Sequence, residues 1–330
     1  MLRPLIITLL GFLIFFANGC GTETNPDSED KPFKVVATIY PLADIAGQLG
    51  YDLVQVDYLL PPGASPHTFE PTVEQARQIS EADLFLFIGA GLDEWAVKLA
   101  GESGSGPLIV DLSQFVPLID AAEYYKTDGQ AVDGAEHGYE HEEEDATEAG
   151  HNSDHDHEHG PEDPHYWLDP LIVREYLAPA IAAALEQVGP QHTSIFNDNL
   201  EKYKGELTEL DSLIREELTN MPGRYFITFH SAWRYFAVRY DLEEIAVIAH
   251  FPGQEPSAGW LADLVELIQV HQISAIYAEP QFSAALADRI AEESGIEVLM
   301  LDPLGGVEGR LTYLEIMRYN LEMFLQGLAE

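Results

Sequence analysis

Apolar and polar positions along the chain fall into three regimes. After one basic residue, Arg3, an apolar stretch interrupted only by Thr8 and Gly11 runs from Leu5 to Phe16. From Phe33, short runs rich in Val, Ile, Leu and Phe alternate with segments whose apolar residues recur every three to four positions. The short runs predict strands at Lys34 to Ile39, Leu53 to Leu60, Leu84 to Ile88 and Leu108 to Val110, and later at Tyr225 to Phe229, Ile245 to Ala249, Ile273 to Ala278 and Glu297 to Leu301. Helical spacing appears at Leu42 to Leu49, Val73 to Ser80, Leu171 to Val188, Ser257 to Val270, Ser283 to Ser294 and Thr312 to Leu328. One stretch is longer than the rest: from His192 to Asn220, Ile195, Leu200, Tyr203, Leu207, Leu210, Leu213, Ile214 and Leu218 mark one face, and Met221-Pro222-Gly223 ends it. A helix of that length spans about 40 Å and can tie two halves together. Strands alternating with helices on both sides of it predict two α/β lobes joined by one long backbone helix.

The third regime is the segment from about 120 to 163, where large apolar residues are scarce. It carries 16 acids, one lysine (Lys126) and six histidines, His137, His141, His151, His155, His157 and His159. Such a stretch cannot bury enough surface to fold by itself and is expected to be a disordered insertion in the first lobe. The expected organisation is a signal peptide at 1–19, a tether at 20–32, a first lobe at 33–190, a linker helix at 191–220 and a second lobe at 221–330.

Charge and cysteine content narrow the chemistry. Sixteen basic against 57 acidic side chains give a net charge of −41, which repels phosphate backbones, so no nucleic-acid partner is expected. Cations become the first candidate ligands. A single cysteine, Cys20, excludes both an internal disulfide and a thiolate metal cluster. It follows Ala17-Asn18-Gly19 at the end of the apolar stretch, whose twelve residues are too few to span a bilayer. The layout is that of a secretory signal, and the cysteine's position resembles the acylation site of bacterial lipoproteins. The alternative is a cleaved signal with an incidental cysteine. Gly21 to Lys31 is polar and reads as a flexible tether.

Three histidines stand where predicted strands give way to loops. His67 lies in Pro61-Pro62-Gly63-Ala64-Ser65-Pro66-His67-Thr68-Phe69-Glu70-Pro71-Thr72, and His165 in Asp163-Pro164-His165-Tyr166-Trp167-Leu168-Asp169-Pro170. His230 follows the run Tyr225-Phe226-Ile227-Thr228-Phe229. Prolines restrict the backbone around the first two, and ligands in open α/β sheets bind at strand carboxyl ends. Asp302, after Val298-Leu299-Met300-Leu301, is a fourth candidate, whose plainer reading is a turn or capping residue. His192 fits a helix start and His271 a helix end.

These segments, together with Gly89-Ala90-Gly91-Leu92-Asp93-Glu94-Trp95 and Tyr277-Ala278-Glu279-Pro280-Gln281-Phe282-Ser283, resemble the zinc-uptake solute-binding lipoproteins of bacterial ABC transporters, the ZnuA/TroA type. The likeness runs from about Val35 to the C-terminus. It implies two α/β lobes on one rigid helix, a cleft holding Zn(II) through His67, His165, His230 and Asp302, and a monomer on the extracytoplasmic face, anchored through Cys20, that meets a membrane permease. Manganese-transporting members carry Glu at the position of His230, so histidine there favours zinc over a manganese-binding homologue, in keeping with the nitrogen preference of zinc. Two further readings stay open: an adhesin or zinc-buffering lipoprotein, and a zinc hydrolase with Glu279 as its base. For the first reading Glu279 is expected to partner a ligating histidine.

The acidic tract carries its own expectation. Its histidines alternate with acids, as in His155-Asp156-His157-Glu158-His159, and each zinc bound there must order free chain at about 1–2 kcal/mol per fixed residue. Deleting residues 128–160 should therefore abolish weak additional zinc equivalents and leave one tight equivalent intact, read by elemental analysis and chelator competition.

Overall fold

The computed structural model describes residues 31–100, 106–120, 162–248 and 257–329. The signal segment, Cys20, the six histidines of the acidic tract and His250 lie outside the described residues.

In the first half, β1 (Phe33–Ala37), β2 (Val54–Tyr58), β3 (Leu84–Phe87) and β4 (Leu108–Asp111) form a parallel sheet in the order β2-β1-β3-β4. Val35 of β1 lies opposite Val56 on one side and Leu84 on the other. All four residues of β3 are buried, which is why its sequence, Leu-Phe-Leu-Phe, shows no alternation: helices cover both faces of a parallel sheet. Between the strands run α1 (Tyr40–Gly50), with Pro41 in its first turn, α2 (Val73–Ser80) and α3 (Glu94–Ala100). Thr72 and Gln75 cap α2 reciprocally, side chain to backbone in both directions. Seven-residue α3 is too short to show a helical period, and the apolar pattern does not reveal it.

Asp169 starts the next helical stretch by accepting the Leu171 N–H at 2.8 Å. Pro170–Ile172 widens into a π-turn at Val173–Leu177, where the Ala178 N–H reaches back to the Val173 carbonyl, before α4 (Ala178–Val188). Pro179 explains the widening: it has no N–H for the carbonyl four residues earlier, and its ring needs room there. The long helix α5 (Thr193–Thr219) buries Phe196, Leu200, Tyr203, Leu207, Leu210, Ile214 and Leu218. Phe196 takes the inward place expected of Ile195, and Leu213 turns outward.

The second half repeats the first. Strands β5 (Tyr225–Thr228), β6 (Glu243–Val247), β7 (Ala275–Ala278) and β8 (Glu297–Met300) again form a parallel sheet, ordered β6-β5-β7-β8. Its helices are α6 (Arg234–Tyr240), α7 (Ala258–His271), α8 (Ala285–Ser294) and α9 (Tyr313–Gly327). Short α6, like α3, leaves no periodic signal.

One hydrophobic core crosses both halves. It runs from Val35 and Leu86 under the first sheet, along the buried face of α5, to Trp233, Phe236, Tyr277 and Phe324 in the second half. Smaller clusters cover the outer faces of the two sheets, around Phe85 in the first and Ile276 in the second. Hydrogen bonds reinforce the seam: the Tyr313 N–H to Asp44 Oδ2 at 2.7 Å, the Tyr40 hydroxyl to the Leu311 carbonyl at 2.6 Å, and Trp167 Nε1 to the Pro303 carbonyl at 2.9 Å. Arg239 reaches across to the Asp169 carboxylate at 2.7 Å.

Phe324 is the centre of the aromatic part of this core, stacked on Phe236 at 4.8 Å and edge-on to Phe226 and Trp233. Phe324→Ala should cost about 3–5 kcal/mol. Because the core is shared, urea curves followed by far-UV and near-UV circular dichroism should still coincide in a single transition.

Candidate metal centre

His67 sits in the loop between β2 and α2. It is the third residue of a turn closed by the Thr68 N–H to the Ser65 carbonyl, and Trp95 of α3 donates its indole N–H to the Pro66 carbonyl at 3.1 Å. The Phe69 ring packs on Trp95 at 5.1 Å, so both neighbours of the His67-Thr68 pair are held against one indole. The tryptophan's part was not legible from its motif.

His165 is fixed by a residue two positions earlier. Asp163 Oδ1 accepts both the His165 backbone N–H at 2.9 Å and the ring Nδ1 at 2.8 Å. The buried Asp163 thereby makes Nδ1 the protonated nitrogen and turns the Nε2 lone pair away from itself. Asp163 is held in turn, its carbonyl accepting from the Tyr235 hydroxyl at 2.9 Å. Asp163 is a partner that its position makes legible, an acid two residues before a proline-clamped histidine.

His230 stands just beyond β5, where the Phe229 N–H bonds the Tyr277 carbonyl at 2.7 Å. Its Nδ1 is 3.4 Å from Glu279 Oε2, an ion-pair distance without hydrogen-bond alignment, and Glu279 Oε1 accepts from Trp233 Nε1 at 3.3 Å. Burial pushes the imidazolium's pKa down, but the Glu279 carboxylate, with Glu244 and Asp163 farther off, outweighs it and the net direction is up.

The three rings form a near-equilateral triangle, with centroids 5.3, 5.0 and 5.0 Å apart, and offer ligand atoms that all lie within 4.8 Å of one another. The Nε2 atoms of His67 and His165 are 3.2 Å apart. Tetrahedral zinc with Zn–N bonds of about 2.0–2.1 Å separates its nitrogens by roughly 3.3 Å, so this pair already has the spacing such an ion requires.

Asp302 is not part of the triangle. Its Oδ1 accepts the Leu304 and Gly305 N–H groups at 3.0 and 2.9 Å, and its Oδ2 faces Arg310 at 3.3 Å. The expected fourth ligand is thus engaged in the turn after β8, because Pro303-Leu304-Gly305 presents two backbone donors within reach of its short side chain. His192 and His271 lie away from the centre, at the start of α5 and the end of α7.

A model of the family described as the periplasmic zinc-uptake complex component A, ZnuA, matches residues 35–327. The chain belongs to the ZnuA family. It is 30% identical to the high-affinity zinc uptake system protein ZnuA of Bacillus subtilis over 98% of this chain and 96% of that protein. It is also 25% identical to the manganese-binding lipoprotein MntA of Halalkalibacterium halodurans, over 96% of each. A crystal structure of a zinc-bound ZnuA deletion mutant superimposes with a TM-score of 0.72 at 26% identity, covering 91% of this chain and 99% of that one. The two-lobed fold and the order of the motifs are therefore those of the ZnuA family.

Beside His230, Glu244 is buried on β6 and accepts from the Thr228 hydroxyl and from Ser231 Oγ at 3.2 Å. Burial raises its pKa to about 7 from a reference of 4.5, against the opposing pull of those hydrogen bonds. The folded chain keeps a proton that the unfolded chain has lost, so this contribution is complete below the reference value and disappears as pH rises through about 7. In the metal-free protein, Glu244→Gln should remove a decline in stability on the order of 3 kcal/mol between those limits, measured by urea unfolding across that pH range.

Proposed function

We propose that the chain is the extracytoplasmic zinc-binding component of an ABC transporter, taking Zn(II) at His67, His165 and His230 and presenting it to a membrane permease. The observation that carries this reading is the 3.2 Å spacing of two imidazole nitrogens whose rings face a third histidine in a buried cleft. Nitrogen donors without a thiolate suit zinc, whereas manganese prefers more oxygen. Membership of the ZnuA family and likeness to a zinc-bound structure support the same cargo. The similarity to a manganese-binding lipoprotein is outweighed by His230, an imidazole where the resemblance places Glu in manganese members.

The hydrolase reading loses its base. Glu279 is tied to Trp233 and stands beside the Nδ1 of His230, which fits a residue that orients a ligand better than one that accepts a substrate's proton. We therefore assign the protein no catalytic role. In this reading residues 33–190 and 221–330 are the two lobes on the helix at 191–220, and Cys20 carries the lipid that holds the monomer, through the tether at 20–32, at the outer face of the membrane.

His67→Ala, His165→Ala and His230→Ala should each weaken zinc by more than about a hundredfold, and Glu279→Gln by roughly ten- to a hundredfold, since residues that orient ligands cost that much when lost. Competition with a chromophoric chelator measures both. Zinc affinities unchanged in all three alanine variants would overturn the assignment, and growth of a deletion strain unaffected by zinc limitation would overturn the transport role.

A further inference from the structure

The acidic tract joins the first half through one pair of chain ends. Asp120 and Glu162 form an antiparallel bridge, and beside it the Asp163 N–H donates to the Ile119 carbonyl at 2.9 Å. In an antiparallel pair of this register Ile119 and Asp163 would exchange two such bonds. The second is interrupted: the Ile119 N–H donates to the Tyr235 hydroxyl at 2.9 Å, and that hydroxyl donates to the Asp163 carbonyl at 2.9 Å. A side chain from the second half is thus inserted into the stem from which residues 121–161 depart. Arg234, its neighbour on α6, donates to the Asp120 carbonyl at 3.4 Å. Filling the core needs only the Tyr235 ring, buried edge-on to Tyr166. A buried hydroxyl adds a desolvation cost that is offset only where it finds partners, and both of these partners belong to the stem.

Asp163 is at once the last residue of that stem and the acceptor for His165 Nδ1. We propose that Tyr235 is a positioning residue for zinc: its hydroxyl bolts the two ends of the acidic tract together and so holds the Asp163 backbone where its carboxylate orients His165. The inference rests on zinc occupying the three-histidine cluster. Between the paired ends lie 41 residues whose composition predicts no structure of their own, and the chance of closing such a loop falls as roughly the three-halves power of its length. Deleting residues 128–160 leaves eight residues between the ends, which makes closure about tenfold easier. Two hydrogen bonds at one hydroxyl supply a factor of at least that order. The bolt is therefore needed with the long tract and dispensable with the short one.

Tyr235→Phe keeps the ring and removes the hydroxyl, and it separates this role from general packing when made both in the full chain and in the chain lacking residues 128–160. In the full chain it should weaken the tight zinc equivalent about tenfold by chelator competition, and in the shortened chain by less than about threefold. In the zinc-free proteins the His165 Nδ1 proton, read by nitrogen-correlated NMR, should be present in wild type, lost to exchange in the full-length variant and restored in the shortened one. A variant that folds only in the shortened chain would support the same conclusion. Equal loss of affinity in both backgrounds, or failure to fold in both, would assign the hydroxyl to the core in general and overturn the proposal. So would a full-length variant that keeps either wild-type affinity or the His165 signal. A wild-type chain that binds no zinc would overturn the transport reading itself, and the NMR comparison would then decide the bolt alone.

Discussion

The contact on which the site depends is the one between His67 and His165, whose Nε2 atoms lie 3.2 Å apart, a distance at which the N–H of one imidazole donates to the lone pair of the other and holds two ligand nitrogens together without an ion. Further support comes on the Nδ1 side of the His165 and His230 rings. Asp163 takes the Nδ1 proton of His165 and Glu279 stands beside Nδ1 of His230, so neither ring can turn its other nitrogen inward without giving up a buried carboxylate. These carboxylates are fixed by aromatic donors from the second half, the Tyr235 hydroxyl on the Asp163 carbonyl and the Trp233 indole on Glu279. The order of support runs outward from nitrogen to acid to aromatic, and the aromatics are themselves members of the common core.

That core changes what the two-lobed outline means mechanically. Domains that close around a ligand usually meet at a surface resembling a transient interface. Here Trp233, Tyr235 and Phe236 of the second half belong to the same buried cluster as Tyr166, Trp167 and Leu168 of the first, and α5 runs along both. Opening the cleft widely would expose core side chains at about 25 cal/mol per Å² and break the bonds from Tyr313 to Asp44 and from Trp167 to Pro303. The spacing of the histidines is therefore a property of the folded chain before any ion arrives.

Much of this was legible in the sequence, for a physical reason in each case. The central strands β3 and β7 are buried throughout and read as dense apolar runs, whereas an edge strand such as β2, Val-Gln-Val-Asp-Tyr, shows itself by alternation. The long helix declared itself by period, with an ambiguity only where neighbours such as Ile195 and Phe196, or Leu213 and Ile214, are both apolar and the backbone's exact phase decides which turns inward. Helices α3 and α6, at seven residues, fall below the length at which a period can be counted. The three histidines were visible because proline and strand ends frame them. Asp302 looked equivalent by position, yet whether a carboxylate at a strand end points into a cleft or caps its own turn depends on Arg310 and on two N–H groups that follow it, and no local pattern carries that information. Trp95 and Trp233 escaped notice for the opposite reason: their partners, the Pro66 carbonyl and the Glu279 carboxylate, are remote in sequence, and a side chain bonded to a carbonyl leaves no trace in residue identity.

The shared core also constrains how an ion could leave. A periplasmic component that grips its cargo by closing can release it by opening, but a chain whose halves share one interior has no comparable motion to spend. Release must then act on the ligands themselves, either by a competing donor or by protonation. Protonation is resisted on His230 by burial and favoured by Glu279, so the carboxylate that orients the ring also makes it easier to protonate, and the same contact that builds the site lowers the barrier to emptying it. Competition needs a face of the ion that the three rings do not cover, and the cleft lies between the first-half loop bearing His67 and the second-half loop after β7. A docking partner that approaches this mouth meets the ion before it meets the core, which lets the cargo change hands while the fold stays as it is.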